Sequence, residues 1–173
     1  MKIDIVVTGE LEENCYILSI DDKVLVIDPG DDYDKISNII NNREVLGILI
    51  THNHFDHVGA LPYFKNIKVY NYNNLKEQEY KIEPFNFKVI FNPGHSSDSV
   101  SYYFEKENII FSGDFIFYGT IGRCDLPTGN IENMIKSIKK IKKYPKDIII
   151  YPGHGISTTL NHEINNNIYF KER

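Results

Sequence analysis

Three of the six histidines of this 173-residue chain fall within six positions, in Thr51-His52-Asn53-His54-Phe55-Asp56-His57. Imidazole and carboxylate at that density are the donor types that hold divalent transition metals. In extended backbone alternate side chains share a side, so His52 and His54 can grip one ion from the end of a strand. Asp56 keeps that parity and His57 does not. A turn into helix near Asp56, which Val58-Gly59-Ala60-Leu61 permits, would let Asp56 and His57 face a second ion beside the first. One open catalytic zinc uses about three protein ligands and a water. Four donors in so short a stretch therefore point to two ions.

Two ions need more ligands, and the chain offers them in matching settings. His95 in Asn92-Pro93-Gly94-His95 and His154 in Tyr151-Pro152-Gly153-His154 each follow an apolar run through a Pro-Gly turn. Asp114, in Phe111-Ser112-Gly113-Asp114, likewise ends a run. The sixth imidazole, His162, has no such setting and reads as a surface residue.

The elements that must position these groups follow from the hydrophobic pattern. Lys2–Val7, Cys15–Ile20 and Lys23–Ile27 read as strands, with Asp32 a candidate cap for a helix carrying Ile36, Ile39 and Ile40. Val45–Ile50 is a near-continuous apolar run, the pattern of a strand covered on both faces, and it leads directly into His52. Further strands are expected near 68–72, 87–91, 100–104, 108–112 and 147–151. One amphipathic helix is clear, with Ile131, Met134, Ile135, Ile138 and Ile141 as its stripe and Asn130 as its cap. Lys136, Lys139, Lys140, Lys142, Lys143 and Lys146 on and after it read as a solvated face. Many strands with helices between groups predict a layered α/β protein with helices outside the sheets.

Composition narrows the function classes. The chain is 42% hydrophobic and 25% charged, as globular proteins are, and long enough for one substantial core. Its formal charge of −5 argues against a general nucleic-acid binder. No apolar run approaches the ~18 residues of a membrane span, and the acid-rich amino terminus lacks a secretory pattern. Cys15 and Cys124 have no metal-type or redox-type spacing and read as reduced thiols of a cytoplasmic protein. A small-molecule substrate is the expected partner; the oligomeric state is left open.

The motifs together resemble the metallo-β-lactamase superfamily. The matching elements are THNHFDH at 51–57, GH at 94–95, SGD at 112–114 and GHG at 153–155, with Asp28-Pro29-Gly30 upstream. Asn14-Cys15-Tyr16, the 121–127 stretch IGRCDLP and Thr158-Thr159-Leu160 with Glu163 and Asn167 resemble its short bacterial glyoxalase II-like hydrolases. The resemblance implies a single four-layer αββα sandwich over residues 1–173, without the separate carboxyl-terminal substrate domain of full glyoxalase II enzymes. It implies one metal held by His52, His54 and His95, and another by Asp56, His57 and His154, with Asp114 bridging. Zinc is the first choice, with iron and manganese as alternatives. Asp28 is either a brace for the ligand loops or a plain turn residue. Ser96-Ser97-Asp98-Ser99 departs from the family's Thr-Pro-Gly-Ser, and Asn167-Ile168 from its Asn-Pro; neither departure touches a ligand.

The implied chemistry is hydrolysis of a thioester or ester, such as S-D-lactoylglutathione or a related small acyl thioester. Asp56 orients or accepts the nucleophile's proton, and Asp114 completes the catalytic pair. Arg123 is expected either to clamp a substrate carboxylate or to pair with Asp125, and Tyr118 to line the pocket. A rival reading is a mononuclear iron persulfide dioxygenase with His52, His95 and Asp114 as its facial triad. A reactive-thiol role for Cys124 and a non-catalytic metal-binding protein are weaker readings.

Overall fold

The computed structural model describes residues 1–171. The first sheet holds β1 (Lys2–Thr8), β2 (Glu13–Ile20), β3 (Lys23–Ile27), β4 (Glu44–Leu49) and β5 (Val69–Tyr70), side by side in that order. β1 to β3 form an antiparallel meander, whereas β3, β4 and β5 run parallel. Helix α1 (Tyr33–Ile40) makes the crossover from β3 to β4, and the single-turn α2 (Phe55–Val58) lies between β4 and β5. The second sheet starts with the antiparallel run β6 (Glu79–Ile82), β7 (Phe85–Phe91), β8 (Val100–Phe104) and β9 (Ile109–Gly113). A small ribbon, β10 (Ile116–Phe117) and β11 (Thr120–Ile121), and helix α3 (Ile131–Ile141) follow. β12 (Ile149–Pro152) then joins parallel to β9, and β13 (Thr158–Thr159) closes that edge before α4 (Leu160–Asn166).

Strand alternation builds the layers. On β2, Tyr16 and Leu18 point into a core between the sheets, with Leu25, Ile27 and Leu49 facing Phe87, Val89, Tyr102, Phe104 and Phe111. The alternate residues Cys15 and Ile17 join Val24, Val26, Ile48 and Ile50 beneath Ile36 and Ile40 of α1. On the far side Ile90, Tyr103, Ile110 and Ile150 pack beneath Met134, Ile138 and Ile141 of α3. The order is helix, sheet, sheet, helix: the αββα sandwich.

Two hydrogen-bond systems tie layers together. Tyr102, fully buried on β8, donates its hydroxyl to the carbonyls of Ile50 (2.7 Å) and Tyr70 (3.1 Å) across the core. Glu163 of α4 is also fully buried, and its carboxylate accepts from Thr158 Oγ1 (2.6 Å), Asn167 Nδ2 (2.7 Å) and the Gly119 N–H. Asn167 also donates to the Thr120 carbonyl at 2.9 Å, so the carboxyl-terminal segment anchors the turn of the β10–β11 ribbon.

Some expectations shift. α3 starts at Asn130, whose side chain accepts from the Asn133 N–H as a cap does. Its buried face is Met134, Ser137, Ile138 and Ile141, whereas Ile131 and Ile135 are 48% and 40% exposed and border a surface groove with Ile121 and Tyr169. At 3.6 residues per turn they lie on one flank of the stripe, which the core does not cover. Asp32 precedes α1 in a left-handed conformation (φ 50°) and makes no side-chain cap; its carboxylate binds Lys35 and the Gly9 N–H instead. Strands β6, β10, β11 and β13 and helix α4, all short, are additions.

Replacing Tyr102 by Phe should cost about 1–2 kcal/mol in denaturant unfolding, because the hydroxyl is lost where no water reaches its two carbonyl partners. The aromatic packing should survive, so the far-ultraviolet circular dichroism should not change.

Candidate metal centre

β3 and β4 are parallel, β9 and β12 are parallel, and β7 shares their direction through the antiparallel β8. The carboxyl ends of these strands carry Asp28, the 51–57 loop, His95, Asp114 and His154. Each sheet thus delivers its chemistry-bearing loops at strand ends, the usual place for a site on a rigid sheet.

The structure brings all seven sequence-predicted donors together. Donor atoms of His52, His54 and His95 lie within 4.8 Å of one another, as do those of Asp56, His57 and His154, and of His52, His57 and Asp114. Asp114 spans the groups: its Oδ1 is 3.3 Å from His57 Nε2, and its Oδ2 is 3.4 Å from His95 Nε2 and 3.7 Å from His154 Nε2. Asp56 Oδ2 lies 3.3 Å from His154 Nε2.

Four of the five rings are held from behind. The Arg123 carbonyl accepts from His95 Nδ1 at 2.8 Å, the Leu11 carbonyl from His154 Nδ1 at 3.0 Å, and Asp28 Oδ2 from His57 Nδ1 at 3.0 Å. Thr51 gives its hydroxyl proton to Asp28 Oδ2 (2.6 Å), which leaves its oxygen to accept from His52 Nδ1 at 3.1 Å. Asp28 Oδ1 also accepts the Thr51 N–H at 2.7 Å. Asp28 is therefore a brace for two ligand positions. Outer hydrogen bonds of this kind fix both the tautomer and the aim of a ligating imidazole.

With Nδ1 occupied, the Nε2 lone pairs of His52 and His95 both aim at His54 Nδ1, at 3.1 and 2.9 Å. One shared proton can satisfy only one of those pairs. Nearby, His57 Nε2 and Asp114 Oδ1 are buried without a hydrogen-bond partner. A cation among these donors would resolve both conflicts, so the residues fit metal ions. Two glycines permit the packing. A Cβ on Gly153 would lie 2.2 Å from Asp114 Oδ1, and one on Gly30 only 1.8 Å from the Asp56 carbonyl. Neither position tolerates a side chain without moving a ligand.

Protonation follows the same logic. Burial opposes charge on His57, but the Asp114 and Asp28 carboxylates at its two nitrogens outweigh it and hold the ring well above the ordinary histidine range. Burial, joined by neighbouring His57, pushes His52 well below that range, and burial with His95 lowers His54. Burial would raise Asp114, yet His57 beside it holds the carboxyl below the usual carboxylate range. Asp56 is likewise low, because His154 and His57 overcome its burial. The donor set thus favours positive charge, and His57 is the ring on which a proton is most favoured.

Glu13 escaped the sequence reading, where it counted only as one of the amino-terminal acids. It is fully buried at the head of β2, accepts from Thr8 Oγ1 at 2.8 Å, and has Oε1 3.8 Å from His57 Nδ1. Burial pushes its carboxyl up to about 10. An acid opening an unbroken apolar run (Cys15–Leu18) was the available signal. The remaining expected residues lie outside the cluster. The exposed Arg123 guanidinium makes a bidentate pair with Asp125 (2.7 and 2.8 Å), and Tyr118 stacks on His162 with ring centres 4.6 Å apart. Cys124 is partly buried, and burial with nearby Asp125 raises its thiol, which disfavours a nucleophilic role.

Two outcomes test the braces. Asp28→Ala should weaken divalent-metal binding about ten- to hundred-fold in chelator competition. Between 4.5 and about 10 the folded chain holds a proton on Glu13 that the unfolded chain releases. Apoprotein stability should therefore fall as pH rises across that window, and Glu13→Gln should flatten the slope in urea unfolding at several pH values.

Comparison with known proteins agrees with this arrangement. The profile of the metallo-beta-lactamase superfamily matches residues 8–72 and 67–154. The "probable metallo-hydrolase YqgX" of Bacillus subtilis is 35% identical over 87% of this chain and 88% of its own. Hydroxyacylglutathione hydrolase GloC of Haemophilus influenzae is 30% identical over the whole of both chains. Among solved structures, the BLEG-1 B3 metallo-beta-lactamase superposes with a TM-score of 0.94 at 31% identity, covering 99% of this chain and 100% of that one. TTHA1623 in a di-iron-bound form superposes at 0.88 with 30% identity, covering 96% and 99%. Fold, donor set and sequence match converge, and the chain belongs to the metallo-beta-lactamase superfamily.

Proposed function

We propose that the protein is a dinuclear metal-dependent hydrolase of small acyl thioesters or esters, with S-D-lactoylglutathione as the representative substrate. The observation that carries this reading is the double donor set: two ligand triplets with Asp114 in reach of both. The di-iron relative supports two ions, and the glyoxalase II-like relative at full coverage supports the thioester. Two bound divalent ions would supply a water acidic enough to ionise near neutral pH and would polarise a carbonyl. Zinc suits the imidazole and carboxylate donors, as do iron and manganese.

The chain's own residues then have definite tasks. His52, His54 and His95 hold one position, and Asp56, His57 and His154 the other. Asp114, kept ionised by His57, sets their spacing. Asp56 stays a carboxylate at neutral pH and can orient the nucleophile and take its proton at Oδ2. Arg123 sits beside the site, since its carbonyl holds His95, and its exposed guanidinium can exchange Asp125 for an acidic group of the substrate. Tyr118 adjoins Phe117, whose ring centre is 6.0 Å from that of His154, and this nearness supports a role for Tyr118 in lining the substrate pocket. No helix among the described residues is long and apolar enough to cross a membrane. The two unpaired cysteines suit action in the cytoplasm.

Metal analysis of the purified protein should find about two ions per chain, with hydrolysis of S-D-lactoylglutathione exceeding that of a β-lactam such as nitrocefin. Asp114→Ala should lose paired occupancy and at least a hundred-fold in kcat/KM. A single iron with oxygen uptake on glutathione persulfide would instead establish the dioxygenase reading, and full activity in Asp114→Ala would refute the two-metal hydrolase.

A further inference from the structure

The structure assigns Asn14, assisted by Tyr16, as the positioning residue for His154, and thereby for the second ion of the centre. This inference rests on the two-metal reading above and concerns only how this chain holds one of the two positions.

The ligands differ in how they are fixed. His52 and His57 are fully enclosed and share the Asp28 brace. His95 is buried against the Arg123 carbonyl, and Asp98 ties its loop to Asn53 of the first ligand loop. His154 differs: its side chain is 27% exposed, and it stands on a Pro-Gly-His-Gly turn at the end of β12. That turn belongs to the second sheet, where the Gly153 N–H donates to the Gly113 carbonyl at 2.9 Å, and its remaining hydrogen bonds come from the first.

Asn14, only 5% exposed, spans the gap between the sheets. Its backbone N–H donates to the Gly153 carbonyl at 2.7 Å. Its side-chain amide donates to the carbonyls of Pro152 (3.1 Å) and Gly155 (2.9 Å). Tyr16, two residues on, donates its hydroxyl to the same Pro152 carbonyl at 2.5 Å. Glu13 forms an isolated bridge with His154, and the Leu11 carbonyl takes the His154 Nδ1 proton. One segment of the first sheet thus secures the turn on both sides of His154 and also orients the ring. An asparagine amide carries two donors, and both are used. Aspartate has the same shape but no donor, and would set a carboxylate against two carbonyl oxygens.

The consequence is selective. None of these bonds involves the His52, His54 and His95 group, so loss of the clamp should loosen one ion and leave the other. A support that acts through its ligand typically changes metal affinity about ten- to hundred-fold. The test is a zinc titration of apoprotein against a chromophoric chelator, for wild type, Asn14→Asp, His154→Ala and the double variant, well below each melting temperature. We expect two tight ions in wild type, with one retained and one weakened ten- to hundred-fold in Asn14→Asp. The double variant should be no worse than His154→Ala, because both changes act on one ligand. Should Asn14→Asp fail to fold, Tyr16→Phe removes one bond from the same carbonyl and should weaken the same ion by a smaller factor. Two ions held as in wild type, or both sites weakened alike, would overturn the assignment. A wild type with a single tight ion would overturn the two-metal reading itself, and this inference with it.

Discussion

The centre depends on one constraint: four of the five clustered imidazoles have their outer nitrogen already committed. Thr51, Asp28, the Arg123 carbonyl and the Leu11 carbonyl each accept one ring proton. The free nitrogens of His52, His57, His95 and His154 therefore converge as lone pairs in a largely closed space. Such convergence is unfavourable without a positive charge, and the Asp114 and Asp28 carboxylates flanking His57 favour a proton on that ring. Metal uptake then exchanges a proton for an ion, so affinity is coupled to pH.

Topology makes the convergence possible. The parallel pairs β3–β4 and β9–β12, with β7 running alongside, send five loops off at strand ends of two facing sheets. Neither sheet carries a complete donor set. The 51–57 loop comes from one, and His95, Asp114 and His154 come from the other. The inter-sheet core of Tyr16, Leu18, Leu49, Tyr102 and Phe111 therefore sets the distance between half-sites as well as stabilising the fold.

The clustering of the seven donors was legible in the sequence because metal chemistry restricts residue type, and because each candidate followed an apolar run with the pattern of a buried strand. The supports were less legible because they act through the backbone. Arg123 contributes a carbonyl, which any residue has, while its conspicuous guanidinium pairs with Asp125. Asp28 looked as much like a turn residue as a brace, since Asp-Pro-Gly serves both. Glu13 looked like surface charge, and only its position in three dimensions reveals it as buried. Periodicity overstated the width of the α3 stripe, because Ile131 and Ile135 lie on a flank that the core does not cover. Two-residue strands such as β10, β11 and β13 are too short to leave any alternation to read.

The Glu163 anchor links helix α4 to the β10–β11 ribbon. Its carboxylate receives the amide of Gly119, next to Tyr118, while Asn167 holds Thr120. The terminal segment thereby fixes the turn of the β10–β11 ribbon, which follows directly on Asp114. Any change in that turn would disturb the enclosed Glu163 carboxylate and the helix built around it. The loop beside Asp114 and the stability of the carboxyl-terminal helix thus share a common joint.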